Sequence, residues 1–177
     1  MRVLIAVCIL AVFFASCQDY DQIVEPPSIQ EQSLFLLNEG NFGWGEGTLS
    51  IYNPTSQQLD HEVFKTLNNE NFGNVLQSVS KINNRYYFTV NNSQKIIITN
   101  DSLFKVGEVT GLTSPRYIYP VSNNKAYITD LYAEGVYVLN LTTNEIDKRI
   151  DFNGWSERGV LYKDLFWVTA PETEYIY

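Results

Sequence analysis

Short stretches in which apolar and polar residues alternate run along the chain from Leu34 to its end. Such alternation, broken by turn residues, is typical of antiparallel strands. The clearest stretch predicts four consecutive strands, at 116–121, 125–130, 135–140 and 145–150. An earlier stretch predicts strands in LFLLN from Leu34, in GTLSIYN from Gly47 and in HEVFK from His61. No long amphipathic helical stretch is visible, so the pattern predicts an all-β chain.

The alternating stretches repeat with a period of 40 residues. NNRYYFTVNN begins at Asn83, NNKAYITDLY at Asn123 and KDLFWVTAPE at Lys163. Equivalent positions carry similar residues: Tyr87, Tyr127 and Trp167; Thr89, Thr129 and Thr169; Ile96, Val136 and Ile176. Four strands in about 40 residues form one blade of a β-propeller. We therefore expect residues 34–177 to form about three and a half four-stranded blades.

The end of the chain falls inside a predicted strand, the one that contains Ile176. A closed propeller has about 4–8 blades, and closure protects its sheet edges. We therefore expect an incomplete propeller, truncated from a parent roughly twice as long. The alternative is a dimer of two half-propellers, although such a chain would be expected to end between blades rather than within one.

The first residues predict export and lipid attachment. Residues 1–16 combine one early charge, Arg2, with an apolar run too short to span a bilayer, which is typical of a signal peptide. The run ends Phe14-Ala15-Ser16-Cys17 and resembles the lipobox of bacterial lipoproteins, in which cleavage leaves Cys17 as the acylated N-terminus. The alternative is that Cys17 merely follows the signal. Residues 17–33, polar and acidic with paired prolines, are predicted to be a flexible tether.

The net charge of the chain disfavours some classes of binding partner. The formal net charge is −8, which disfavours nucleic acid because phosphates need basic partners. The acyl chains on Cys17 would provide the contact with the membrane. Asp19 and Asp21 resemble the signals that direct some lipoproteins to the outer cell surface, although an ordinary linker would look the same. We expect a lipid-anchored protein of the outer membrane or cell surface.

Several motifs resemble a known family. YITD, from Tyr127, resembles the YVTN signature of YncE-like propellers, which have seven blades. LLNEGNFG from Leu36, NNS at 91–93, SPR at 114–116 and the W-x-E of Trp155 and Glu157 are similar to surface lipoprotein propellers that include cobalamin-binding proteins of corrinoid uptake systems. This resemblance implies a seven-bladed parent, a corrinoid (vitamin B12) ligand and an outer-membrane transporter as a partner.

The predicted strand order places candidate binding residues on one face of the propeller. The connections between the second and third strands of a blade, and from the fourth strand to the next blade, lie on the same face and are rich in aromatic and charged residues. The opposite face is predicted to carry essentially no aromatic residues. The candidates are Phe42, Trp44, Asn92, Arg116, Asp130, Tyr132, Trp155 and Glu157. Rigid aromatic rings with a few polar groups suit a flat or amphipathic small molecule. The alternative is that these side chains only seal the rim.

Catalytic chemistry is not indicated. His61 is the single histidine, and its place in a predicted strand favours a structural role. No His pair or Cys cluster predicts a metal or other cofactor, and no nucleotide-binding or nucleophile motif occurs. We therefore expect a non-enzymatic protein that binds a small nutrient ligand. The alternative is a module that binds protein or glycan at the cell surface, and an enzyme ranks third.

Overall fold

The computed structural model describes residues 24–177. The predicted signal peptide and the lipidation site at Cys17 lie outside the described residues. Within the described residues, no helix is long and apolar enough to cross a membrane. The chain is built almost entirely from antiparallel strands, in sheets that follow one another along the sequence.

We call the sheets blades 1 to 4. Blade 1 contains β1 (Leu34–Asn38), β2 (Thr48–Asn53) and β3 (Gln58–Asp60), and helix α1 (Val63–Asn68) follows it. Blade 2 contains β4 (Leu76–Ile82), β5 (Arg85–Val90), β6 (Lys95–Asn100) and β7 (Lys105–Val109). Blade 3 contains β8 (Pro115–Ser122), β9 (Lys125–Asp130), β10 (Gly135–Asn140) and β11 (Glu145–Asp151). Blade 4 contains β12 (Gly159–Tyr162) and β13 (Leu165–Val168), extended by a bridge between Thr169 and Ile176.

The all-β fold of propeller blades is confirmed. The four strands predicted between 116 and 150 occur as β8 to β11, with ends that differ by at most one residue. Residues that lie 40 positions apart in the sequence also occupy equivalent positions in the strand pairing. Thr89 pairs with Ile96, Thr129 with Val136 and Thr169 with Ile176. The repeated sequence therefore builds the same local pairing in three successive blades.

Tight turns join the first two strands of blades 2, 3 and 4, but with two geometries. Asn83 and Asn84 have a left-handed backbone, with φ of 48° and 58°. Lys163 and Asp164 share it despite their different side chains, with φ of 47° and 63°. The Asn123-Asn124 turn does not share it. There, β8 carries an extra residue between Pro120 and Ser122, and such a β-bulge supplies strand twist without left-handed residues.

An asparagine at the end of β2, β6 and β10 begins the turn that follows each of these strands. The side-chain oxygen of Asn53 accepts hydrogen bonds from the backbone N–H groups of Thr55 and Ser56. Asn100 and Asn140 each accept two backbone N–H groups in the same way. Asparagine is favoured here because its short amide can replace a backbone acceptor in the turn.

The strand predicted in HEVFK is wrong. Blade 1 takes its outer strand from Gln58–Asp60, His61 lies outside any strand, and α1 begins at Val63. Adjacent residues of a strand point to opposite faces. Val63 and Phe64 are both buried in the same cluster, and Leu67 packs against it. Only a helical turn brings these three side chains to one side of the backbone, where Phe64 stacks on Phe72 with ring centroids 4.0 Å apart.

The core consists of two layers, one on each side of blade 2. Tyr87 and Ile98 face blade 3, where they pack with Ile118 and Ile128. Phe88 and Ile97 point the other way, toward the buried residues of blade 1 and α1. Blade 2 is therefore apolar on both faces, as expected for a sheet packed between two others.

Part of the predicted tether lies against blade 1. Ile29 packs against the apolar cluster between blades 1 and 2. The Thr55 hydroxyl donates a hydrogen bond to the side-chain oxygen of Gln30, at 3.0 Å. Residues 24–33 therefore contact the domain.

Shortening one buried isoleucine tests the interblade packing. Ile128 is fully buried between blades 2 and 3, whereas Ile150 is 40% exposed. We expect Ile128→Val to lower the free energy of unfolding by about 0.5–1.5 kcal/mol, because it leaves a cavity the size of a methyl group. The matched Ile150→Val should change it by less than about 0.5 kcal/mol. Urea unfolding followed by circular dichroism measures both, and equal losses would contradict the proposed packing.

Candidate ligand-binding face

The two sets of connections predicted to share one face do meet there. Hydrogen bonds join the 39–47 connection to 73–76, the 91–94 connection to 74–75, and the 131–134 connection to 114 and 152. We call this surface the loop face. It is formed by the connections 39–47, 61–75, 91–94, 110–114, 131–134 and 152–158.

Three large aromatic side chains project from the loop face into solvent. Trp44 is 92% exposed, and Phe42 and Tyr132 are each 69% exposed. Trp155 is half-buried in the 152–158 connection. No two of these four rings form an aromatic pair among residues 24–177. The predicted aromatic residues therefore occupy the same face without forming a single cluster.

Asn74 braces the connection that carries Phe42 and Trp44. Its side-chain oxygen accepts the backbone N–H of Gly43 at 3.1 Å, and its amide nitrogen donates to the carbonyl groups of Asn41 and Gly45. The exposed Asn92 donates to the same Asn74 oxygen at 3.2 Å. The exposed rings thus stand on a loop whose backbone is fixed by the next blade.

Asp130 organises the connection that carries Tyr132. Its fully buried carboxylate accepts the backbone N–H groups of Thr113, Ser114 and Tyr132, at 3.0, 2.8 and 3.0 Å. The sequence singled out Asp130 as a ligand contact. The structure places it beneath the surface, where it holds two adjacent connections together.

Two other candidates, Arg116 and Glu157, lie together. The Nε and Nη2 groups of Arg116 donate to both carboxylate oxygens of Glu157, with distances of 2.9–3.2 Å. The Nη1 group of Arg116 donates to Oε1 of Gln77, a residue that the sequence did not single out. These hydrogen bonds link Gln77, Arg116 and Glu157, which come from three successive blades.

A repeated β-bulge places these three side chains. Leu76 pairs with Val90 and Ser78 with Thr89, which leaves Gln77 as an extra residue. Arg116 is the extra residue between Pro115 and Tyr117 in the same way. In blade 4, Glu157 N–H donates to the Thr169 carbonyl, while Thr169 N–H donates to the Arg158 carbonyl. In each of blades 2, 3 and 4, two consecutive residues thus face one threonine, and a bulge of this kind redirects a side chain.

The threonines at 89, 129 and 169 were the available signal for these bulges. The hydroxyl of Thr129 accepts the N–H of Tyr117 at 3.2 Å, and that of Thr169 accepts the N–H of Arg158 at 3.1 Å. The hydroxyl of Thr89 is buried without a hydrogen-bond partner. The sequence showed the repeat of the threonine, but alternation alone could not show the extra residue opposite it.

Aromatic rings of β8 contact the start of blade 4. The guanidinium carbon of Arg158 lies 4.1 Å from the centroid of the Tyr117 ring, a stacking contact between cation and ring. The Tyr119 hydroxyl accepts the N–H of Gly159 at 3.0 Å. Burial raises the pKa of Tyr119 above its ordinary value, and the Gly159 hydrogen bond opposes that shift. Arg158 is itself exposed.

The opposite face carries more aromatic residues than the sequence predicted. Phe104, in the turn between β6 and β7, is 37% exposed, and Tyr162, at the end of β12, is 59% exposed. Two clefts are lined by none of the exposed loop-face rings. One of about 620 Å³ runs between residues 24–30 and β3 with α1, and one of about 460 Å³ lies between blades 3 and 4. The loop face is an open surface.

His61 lines the cleft beside α1, with Nδ1 3.3 Å from the Ser50 hydroxyl. Within residues 24–177, no group of three or more His, Cys, Asp or Glu side chains is placed to hold a metal ion. The loop face offers a ligand its aromatic rings and the Arg116–Glu157 pair.

The sheets, their order and the loop face define the chain as a β-propeller protein. It belongs to the family described as a domain of unknown function, DUF5074, whose model matches residues 32–169. No curated protein matches the sequence.

One solved structure supports the propeller fold. The WD40 β-propeller domain of Doa1 superposes with a TM-score of 0.52 at 10% identity, over 84% of this chain and 50% of Doa1's. The chain thus spans half the length of that propeller. AztD from Citrobacter koseri (TM-score 0.42, 15% identity, 66% of this chain and 35% of AztD) and Kuenenia stuttgartiensis hydrazine synthase (0.48, 12%, 52% and 28%) are also similar. At these identities the likeness is one of fold.

Removing the buried carboxylate tests the role of Asp130. We expect Asp130→Ala to lower the free energy of unfolding by about 1–3 kcal/mol, because it leaves backbone N–H groups without acceptors. Asp147→Ala, at an exposed position of β11, should change it by less than about 0.5 kcal/mol. Thermal unfolding followed by circular dichroism compares the two variants. An Asp130→Ala protein as stable as the control would contradict the organising role.

Proposed function

We propose that the chain is a non-enzymatic, lipid-anchored surface protein whose loop face binds a small nutrient ligand for uptake across the outer membrane. The observation that carries this proposal is the exposure of Trp44, Phe42 and Tyr132 on one face, at 92%, 69% and 69%. Large aromatic side chains so exposed lose hydrophobic stabilisation that a bound ligand would restore.

Rigidity supports a binding role for these rings. A loop that is ordered before the ligand arrives loses less conformational entropy on binding. Asn74 fixes the connection of Trp44, and Asp130 fixes that of Tyr132. Rings that only sealed the rim would be expected to pack on their neighbours, whereas these three point into solvent.

A corrinoid is the most specific ligand we propose. The motifs LLNEGNFG, SPR and W-x-E resemble those of cobalamin-binding surface propellers, and each motif includes residues of the loop-face connections. A corrinoid is a broad, flat ring system with polar side groups, and it suits an open surface with separated aromatic residues better than a narrow pocket. The proposal includes an outer-membrane transporter as the receiving partner and membership of the YncE-like propellers.

A protein- or glycan-binding module is the second candidate. The openness of the loop face favours it, because exposed aromatic rings on a flat surface also stack on sugars or anchor a protein partner. Titration with a corrinoid separates the two candidates.

Loss of the exposed rings should weaken corrinoid binding. We expect Trp44→Ala and Tyr132→Ala each to raise the Kd for cyanocobalamin about tenfold or more, because each removes a large desolvated contact. Tyr162→Ala, which truncates an exposed ring near the opposite face, is the matched control and should leave the Kd unchanged. Isothermal titration calorimetry measures the three constants.

Unchanged affinity in Trp44→Ala and Tyr132→Ala, with unchanged thermal stability, would remove these rings from the site. Absence of cyanocobalamin binding by the unaltered chain and by a longer homologue would favour the interaction module.

Replacement of the proposed lipidation site should release the protein from the membrane. We expect Cys17→Ser to abolish incorporation of labelled palmitate and to move the protein to the soluble fraction, because Cys17 is the residue that would carry the acyl chains. Cys8→Ser, inside the proposed signal peptide, is the matched control and should retain both the label and the membrane location. Palmitate incorporation into Cys17→Ser would overturn the assignment.

A further inference from the structure

The residue type at the bulge position is not repeated from blade to blade. The backbone around it is the same in three blades, with an extra residue opposite a threonine, yet the extra residue is Gln77, then Arg116, then Glu157. A side chain required by the bulge itself would be expected to recur as the threonine does. The variation therefore indicates that these three side chains serve something other than the blade.

The three side chains lie at the inner edge of the loop face. The first strands of successive blades are neighbours, because the hydroxyls of Ser78 and Ser80 donate to the carbonyl groups of Arg116 and Ile118 in the next blade. The bulges sit where these strands leave the loop-face connections. A ligand resting on the loop face would thus have this row of polar groups beneath its inner end.

The acceptors in this row already have donors. Oε1 of Gln77 and both carboxylate oxygens of Glu157 accept hydrogen bonds from Arg116. Arginine has five N–H donors and no acceptor, and Arg116 uses its Nε group, one Nη1 donor and one Nη2 donor in these bonds. Two N–H groups of Arg116 and the amide nitrogen of Gln77 remain available.

Arg158, which follows Glu157 in the 152–158 connection, adds a second cation to this part of the loop face. Its guanidinium stacks on Tyr117 at 4.1 Å, and its backbone is fixed by hydrogen bonds with Thr169. Among residues 24–177 it forms no ion pair with a carboxylate. The neighbouring Glu157 is engaged by Arg116. With Arg158 the row carries two cations and one carboxylate, a net charge of +1, on a chain whose formal charge is −8.

We propose that Gln77, Arg116 and Arg158 form a recognition site for an anionic oxygen group, a carboxylate or a phosphate, carried by the ligand of the loop face. This site rests on the proposed binding function and adds to it a chemical class. The aromatic residues contact the apolar body of the ligand, and the donor row binds its anionic group. Arginine suits this role because its planar donors match the oxygens of either anion.

Titration with simple anions tests the site directly. The full chain, labelled with ¹⁵N-arginine, is titrated with inorganic phosphate and separately with acetate, each against sodium chloride of the same ionic strength. We expect the Arg158 side-chain resonance to shift saturably with at least one of the two anions. The response to phosphate or to acetate then distinguishes the two ligand groups. Arg149, exposed and paired with Asp151, is the internal control and should move only as it does in chloride.

Two substitutions give the site a quantitative test. Arg158→Gln should raise the Kd for the bound anion about tenfold, because it removes a charge-assisted hydrogen bond. Gln77→Glu, which keeps an acceptor for Arg116 but replaces the donor with a negative charge, should weaken binding at least as much. Arg149→Gln is the matched control and should leave the Kd unchanged.

The proposal is overturned if Arg158 shifts no more than Arg149, or if both Arg158→Gln and Gln77→Glu keep full affinity with an unchanged unfolding midpoint. Gln77→Glu decides the matter if Arg158→Gln does not fold. The proposed function is tested separately by Trp44→Ala. If anion binding is absent but Trp44→Ala still weakens cyanocobalamin binding, then only the anion site is wrong and the proposed binding function stands.

Discussion

Blade 2 needs apolar cover on both of its faces, and the sheets on either side of it, together with α1, supply that cover. The second strand of blade 2 makes the constraint concrete, since Tyr87 points into one core layer and Phe88 into the other, and both are buried. Burial of apolar surface is the dominant favourable contribution to folding. Neighbouring sheets therefore stack face to face, their first strands come to lie side by side, and the connections on one side gather into a continuous surface. The loop face is a consequence of that stacking.

The repeated elements could be predicted because their physical causes are local. Alternation with a period of two specifies a half-buried or sandwiched strand, and β8 to β11 appear where that pattern placed them. Departures from the repeat depended on tertiary context. Val63 and Phe64 are adjacent apolar residues that a strand would separate, and their common burial against Phe72 selected a helix instead.

The sequence predicted on which face of the propeller the candidate residues lie, but not the structural role of each residue. Knowing the strand order was enough to bring the connections of Trp44, Tyr132 and Glu157 to one side. It could not show that Asp130 would be buried beneath three N–H groups, because the side-chain pattern is the same for a buried acceptor and for an exposed ligand contact. The pairing of Arg116 with Gln77 and Glu157 depends on extra residues opposite Thr89, Thr129 and Thr169, and a one-residue irregularity is invisible to periodicity.

The β-bulge at the start of each blade has a consequence for how such proteins diverge. The threonine and the backbone hydrogen bonds hold the bulge, while the extra residue contributes its side chain to the space between blades. Substitution at these positions therefore changes the polar contacts between blades and leaves the two apolar core layers as they are. Coordinated exchange of Gln, Arg and Glu among these positions would give related chains different ligand preferences on the same core. A repeat in which the blade fold is kept while the type of one residue per blade varies is well suited to evolutionary diversification.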